Sequence, residues 1–185
     1  GKWRDEMRSR FDEQFTVLNT SSLRDFIDNY RRYGEAQRLK GIVALELVRR
    51  QEFYDAFQEL EIPFDLVIID EAHHLRNTTT QANQFASLVT QYADAMLLLT
   101  ATPLQLGNRD LFNLLAILAP EEFENYEAFE RRLEPNRYIN AAERLLEQGQ
   151  IEAALNRLRL IRNTAEQTRY ANHPLYREIF DRLEQ

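Results

Sequence analysis

Two carboxylates and two histidines follow directly on an apolar run in "DLVIIDEAHHLRN", residues 65–77. Leu66, Val67, Ile68 and Ile69 have the pattern of a short buried strand, which puts Asp70, Glu71, His73 and His74 at its carboxyl end. In an open parallel sheet, ligands bind beyond the carboxyl ends of the strands. A facing acid–base pair of the glycosidase kind needs its carboxylates roughly 5 to 9 Å apart across a substrate. Sequence neighbours such as Asp70 and Glu71 project to opposite sides of an extended backbone, which suits that task poorly. The spacing suits a division of labour, with Asp70 holding a magnesium ion and Glu71 positioning a water. Hydrolysis of a nucleotide γ-phosphate requires those two services. The histidines are a poor zinc pair, because a helical pair needs i, i+4 spacing and His73 and His74 are adjacent. The only other histidine is the isolated His173. Taken alone, the acidic end reads more often than not as a strand that simply stops in solvated acids.

A second stretch repeats the design. Thirty positions after Asp70, "LLLTATP" again runs from an apolar strand into polar groups, here the hydroxyls of Thr100 and Thr102, with Pro103 as the stop. Two such ends separated by one crossover helix are neighbours or near neighbours in a sheet, so their loops can share a site. That juxtaposition makes coincidence the weaker reading.

The elements that must position these residues follow from periodicity. Trp3, Met7 and Phe11 recur at four-residue spacing and predict an amphipathic helix. "FTVLN" (15–19) alternates as a strand does, and Ser21 or Ser22 is a candidate cap for a helix through Leu23, Phe26, Ile27 and Tyr30. "IVAL" (42–45) reads as a short buried strand, followed by a helix through Leu47, Phe53, Phe57 and Leu60 that Pro63 ends. A helical period fills residues 80–93 between the strands 65–70 and 96–100, with Thr78, Thr79 and Thr80 as its cap. Asn108 is a candidate cap for the helix Leu111 to Leu118. The alternation of strand and helix predicts an α/β fold, a parallel sheet flanked by helices, with 15–19, 42–45, 65–70 and 96–100 as parallel strands and Asp70 and Thr100 at neighbouring carboxyl ends. From Glu121 onward no strand pattern occurs. Residues 1–120 are therefore expected to form the α/β part and 121–185 an all-helical extension.

Composition narrows the class. An apolar share of 44% is enough for a core, and no run approaches the roughly 18 apolar residues of a membrane span. No signal peptide opens the chain, and the absence of cysteine excludes disulfides and fits a reducing cytoplasm. A net charge of −7 repels nucleic acid overall, so phosphate contacts would need a local basic patch. The basic pairs Arg31–Arg32, Arg49–Arg50 and Arg131–Arg132 are interleaved with acids and read better as solvated helix faces. The aromatic-rich "EEFENYEAFE" reads as helix core rather than a base-stacking platform. No two of the five glycines fit a Gly-x-x-x-x-Gly-Lys-Ser/Thr phosphate loop.

"DEAH" followed by "LLLTATP" resembles motifs II and III of superfamily-two helicases. "KWRDEMRSRF" is similar to the end of motif Ia in the Swi/Snf-related DNA-translocating ATPases, "GIVALELVRR" to the strand segment that follows it, and "TATPLQLGNRDLFNLLAIL" to motif III with its helix. The resemblance spans residues 2 to about 120 in the family's order. It implies a partial RecA-like lobe carrying motifs Ia to III. Chromatin-remodelling members usually carry Arg or Lys after the DEAH histidine and Asn after "TPLQ"; here His74 and Leu106 stand there. The chain is more similar in this to the bacterial branch that includes the RNA-polymerase-associated translocase, which argues against nucleosomes as substrate.

The resemblance also implies the cofactors, partners and roles. ATP and magnesium are the cofactors, and double-stranded DNA is the partner, with RNA polymerase or another nucleic-acid-bound complex beside it. Asp70 coordinates magnesium and Glu71 orients or deprotonates the attacking water. His73 links the nucleotide site to motif III, while Thr100 and Thr102 couple nucleotide state to DNA movement. The family supplies its phosphate loop from upstream of motif Ia and further arginines from a second lobe. The chain is accordingly expected to be a piece of a longer protein and inactive alone. Two other readings stand beside this one: a non-catalytic partner-binding module with the same fold, and an RNA-directed helicase.

Overall fold

The computed structural model describes residues 2–34, 39–101 and 107–163. The chain divides into two compact units, Gly1–Glu122 and Phe123–Gln185. The first is α/β. Helix α1 (Lys2–Phe11) leads to strand β1 (Thr16–Leu18), helix α2 (Thr20–Tyr33) and strand β2 (Gly41–Val43). Helices α3 (Leu45–Val48) and α4 (Gln51–Leu60), strand β3 (Val67–Ile69), helix α5 (Gln81–Thr90), strand β4 (Met96–Leu98) and helix α6 (Asn108–Leu118) follow. A 3-10 turn over Ala72–Leu75 lies between β3 and α5.

Both strand pairings are parallel, as the alternation of elements predicts. β1 pairs with β2 in the register Val17 to Ile42, and β3 with β4 in the register Ile68 to Leu97. Among the described residues the pairs form two separate two-stranded sheets. They nevertheless share one core. Leu18, Val43, Val67 and Met96 pack against a cluster built from Leu23 and Ile27 of α2, Phe53 and Phe57 of α4, and Phe85, Leu88 and Val89 of α5. Apolar burial is non-directional, so two sheets can share a core without a ladder between them. Within that core Phe57 meets Phe85 edge to face, with ring centroids 5.4 Å apart.

One expectation about the strands is corrected. The apolar runs predicted strands covered on both faces, yet Ile68 and Leu97 are exposed by 42% and 49% and only the alternate residues are packed. Ile69 and Leu98 face a second cluster of Ala72, Leu75, Ala82, Ala86, Leu114 and Ile117. Helix α1 forms where its spacing predicts, but none of its residues is buried. The helix predicted through Leu47 to Leu60 is broken at Arg50, whose extended backbone separates α3 from α4. It closes at Glu61, in the left-handed region at φ 47°, two residues ahead of Pro63.

Caps decide where helices start. Asn19, not Ser21 or Ser22, caps α2: its side chain accepts from the Ser22 amide while the Ser22 hydroxyl accepts from the Asn19 amide. That reciprocal box satisfies two amides that would otherwise lack partners. Thr80 caps α5 by accepting from Asn83 N. Asn108 lies inside α6, which starts after Gly107 without a side-chain cap.

In the second unit, helix α7 (Tyr126–Glu147) turns at Gly149 into helix α8 (Ile151–Arg159). Gly149 has φ +71°, a conformation open to glycine at little cost, and its amide donates to Leu146 O. Ala142 and Ala154 are buried, and small side chains let the two helices approach closely. Phe123, Tyr126 and Phe129 form an aromatic cluster in which Phe129 is buried and the other two rings are half-buried. Residues 164–185 of the expected extension, His173 among them, lie outside the described residues.

Candidate functional site

The pairing of β3 with β4 continues past the strands, and this continuation builds the site. Leu99 N donates to Ile69 O at 2.9 Å, and Ala72 N donates to Leu99 O at 2.8 Å. One residue therefore clasps the backbone on both sides of Asp70–Glu71. Thr100 follows Leu99 directly, so the acidic pair and this threonine emerge from adjacent carboxyl ends. Thr102 and the rest of "TPLQL", residues 102–106, lie outside the described residues.

Asp70 is exposed at the end of β3, and both of its carboxylate oxygens are engaged. Oδ1 accepts from the Glu71 amide at 2.9 Å. Oδ2 accepts from the Trp3 indole Nε1 at 2.8 Å, across 67 positions of sequence. Glu71 has a left-handed backbone at φ 51°, ψ 44°. An unforced residue with a Cβ avoids that region, and such conformations concentrate at functional sites. The turn departs from the expected extended geometry and directs the chain into the 3-10 turn. Glu71 Oε2 comes within 3.2 Å of His73 Nδ1. Among the described residues that nitrogen is buried without a hydrogen bond, because proximity there lacks the alignment such a bond requires. The His73 and His74 rings lie against each other with centroids 4.1 Å apart.

The loop carrying these residues is held from below. Ala72 and Leu75 are fully buried among Ala82 and Ala86 of α5 and Leu114 and Ile117 of α6. Two side-chain amides then secure the carbonyls at the end of the turn. Asn83 Nδ2 donates to Leu75 O at 2.7 Å in a buried setting, and Asn113 Nδ2 donates to Arg76 O at 2.7 Å. Arg76 and Asp110 add an ion pair at 3.9 Å. Sequence reasoning missed Asn83, Asn113 and the contact of Trp3 with Asp70. An asparagine within a helical period carries no signal of a tertiary partner.

Replacing Asn83 by Ala leaves the Leu75 carbonyl buried and unpartnered. The expected cost is about 1–3 kcal/mol, read as a lower urea midpoint with unchanged slope. A change under about 0.5 kcal/mol would show that water or a neighbour replaces the amide.

Asp70 also fits a magnesium ion. Magnesium is held through one or two carboxylates together with phosphates and waters, not by an all-protein cage. Each Asp70 oxygen accepts one hydrogen bond here and retains a further lone pair. Among the described residues no group of three or more His, Asp or Glu is arranged to hold a metal by itself.

Of the basic pairs, Arg31 lies on a solvated, acid-paired helix face. Arg31 bonds Glu59 at 2.9 Å and Asp28 at 3.3 Å, and the Glu59 carboxylate raises the guanidinium above its ordinary pKa. Arg24, also on α2, pairs with Glu52 at 2.8 Å.

The SNF2-related domain family matches residues 5–175 of the chain. The chain belongs to that family. An SNF2-related domain is an ATPase module of the helicase and translocase type, one that uses ATP with magnesium and acts on nucleic acids. The match runs through both units, so the helices after residue 122 are part of the SNF2-related domain. Among the described residues, no helix is long and apolar enough to cross a membrane.

Proposed function

We propose that this SNF2-related domain is the motif Ia to motif III part of the first lobe of an ATP-dependent double-stranded DNA translocase. It is of the DEAH type and nearest the bacterial RNA-polymerase-associated branch, and it works in the cytoplasm. Residues 1–120 serve as the lobe and 121–185 as its helical extension. The observation that carries this reading is the clasp of Leu99 around Ile69 and Ala72, which sets the acidic pair beside Thr100. Asp70 is the protein ligand of the magnesium that accompanies ATP. Glu71 accepts a proton from the attacking water or orients it, His73 links the nucleotide site to motif III, and Thr100 and Thr102 couple nucleotide state to movement on DNA. RNA polymerase is the protein partner that the branch assignment suggests.

Two experiments test this. The 185-residue chain by itself is expected to show no measurable ATPase turnover. Its glycines provide no phosphate-cradling loop, so the β- and γ-phosphates lack most of their donors. Steady turnover that disappears with Glu71→Gln would overturn that expectation.

The second experiment separates hydrolysis from movement in the ATP-hydrolysing protein that carries this domain. Replacing Thr100 and Thr102 together by Ala removes two hydroxyls, each worth about 0.5–1.5 kcal/mol net. That is too little to unfold the domain and enough to disturb a two-state coupling element. Much of the DNA-stimulated ATPase should remain while displacement of a DNA triplex strand drops. Equal losses in both assays would place the threonines in hydrolysis or folding instead.

A further inference from the structure

Of the two donors that the Asp70 carboxylate meets among the described residues, one is local and one is not. The Glu71 amide belongs to the same turn, whereas the Trp3 indole is delivered by α1 from 67 positions away in sequence. Helix α1 buries none of its residues, so Trp3 is not there to fill the core. Its ring remains 41% exposed while its single donor, Nε1–H, is spent on Asp70 Oδ2 at 2.8 Å. A bond from N–H to a carboxylate is charge-assisted, and one donor on each oxygen fixes the rotation of the carboxylate plane. The lone pair left on each oxygen then points in a set direction.

We propose that Trp3 is a positioning residue for Asp70, its indole N–H holding the carboxylate in the orientation that receives the cation. This rests on the reading of Asp70 as the magnesium ligand. Hydrogen-bond partners of ligating groups orient them, and removing such partners typically weakens metal binding about 10- to 100-fold. The indole stays bonded when the cation arrives, because it uses a different lone pair.

Trp3 is the only tryptophan in the chain, so its indole N–H gives one resolved resonance that reports on the contact directly. The folded 185-residue chain is titrated with Mn2+, a paramagnetic substitute for magnesium, and followed by 15N-resolved NMR. The indole signal and the Glu71 amide should broaden together, and Asp70→Ala should abolish both effects and shift the indole signal upfield before any Mn2+ is added. In Trp3→Phe the Glu71 amide should need about tenfold more Mn2+ to reach half-broadening, at the low end of the usual range because the ring is half-exposed. An indole shift indifferent to Asp70→Ala would refute the contact itself. Broadening of the Glu71 amide at unchanged or lower Mn2+ in Trp3→Phe would leave Asp70 as a ligand and overturn the positioning role. No Asp70-dependent broadening in the wild type would overturn the Asp70 reading, and this inference with it.

Discussion

Glu71→Gln in the ATP-hydrolysing protein is expected to slow hydrolysis by about a hundredfold or more with ATP affinity nearly intact. That factor corresponds to about 2.7 kcal/mol of lost transition-state stabilisation. Glutamine keeps the length and shape of the side chain, so the turn at φ 51° and the approach to His73 need not change. What it loses is the capacity to accept a proton, which matters only as the water attacks. Binding is a ground-state property and relies on other groups. Single-turnover hydrolysis together with nucleotide affinity separates the two. Equal losses of affinity and rate would mean that Glu71 serves binding or folding, and a rate within a few-fold of wild type would remove it from the chemistry.

The largest stability effect is expected at Leu75. It is fully buried beneath the acidic loop, between α5 and α6, among residues that are themselves tightly enclosed. Leu75→Ala removes the apolar atoms and leaves a cavity that helices on either side cannot readily close. The expected cost is about 3–5 kcal/mol, a large part of the roughly 5–15 kcal/mol that holds an ordinary domain together. Urea denaturation followed by far-UV circular dichroism measures it. A cost below about 1 kcal/mol would mean that the loop is not seated on this cluster. The two variants differ in kind: Glu71→Gln alters chemistry on an intact loop, whereas Leu75→Ala alters the support under that loop.

Local signals were legible in the sequence because local physics causes them. Asp70 and Glu71 end a strand because an apolar run cannot continue into carboxylates without burying charge. Thr80 caps α5 because its hydroxyl reaches an amide three residues on. The motifs placed the chain in a family, and matching of the SNF2-related domain over residues 5–175 agrees with that placement. The caps of α2 and α6 were misread for an equally local reason. Asn19 and Ser22 are both good capping residues, and the one whose backbone turns extended takes the role.

What the sequence by itself determined was the order of elements, the parallel sense of their pairing and the identity of the polar groups at two strand ends. These depend on periodicities of two and 3.6 residues and on side chains within a turn of each other. Only the tertiary structure decided that the four strands form two pairs, that Ile68 and Leu97 face outward, and that Trp3 meets Asp70. It alone set Asn83 and Asn113 on the carbonyls of Leu75 and Arg76. Pairing of strands and partners for buried polar groups are settled by which surfaces come together across long stretches of chain. Hydrophobic burial selects those surfaces by area rather than by address, so many pairings satisfy the same pattern until the whole core is packed.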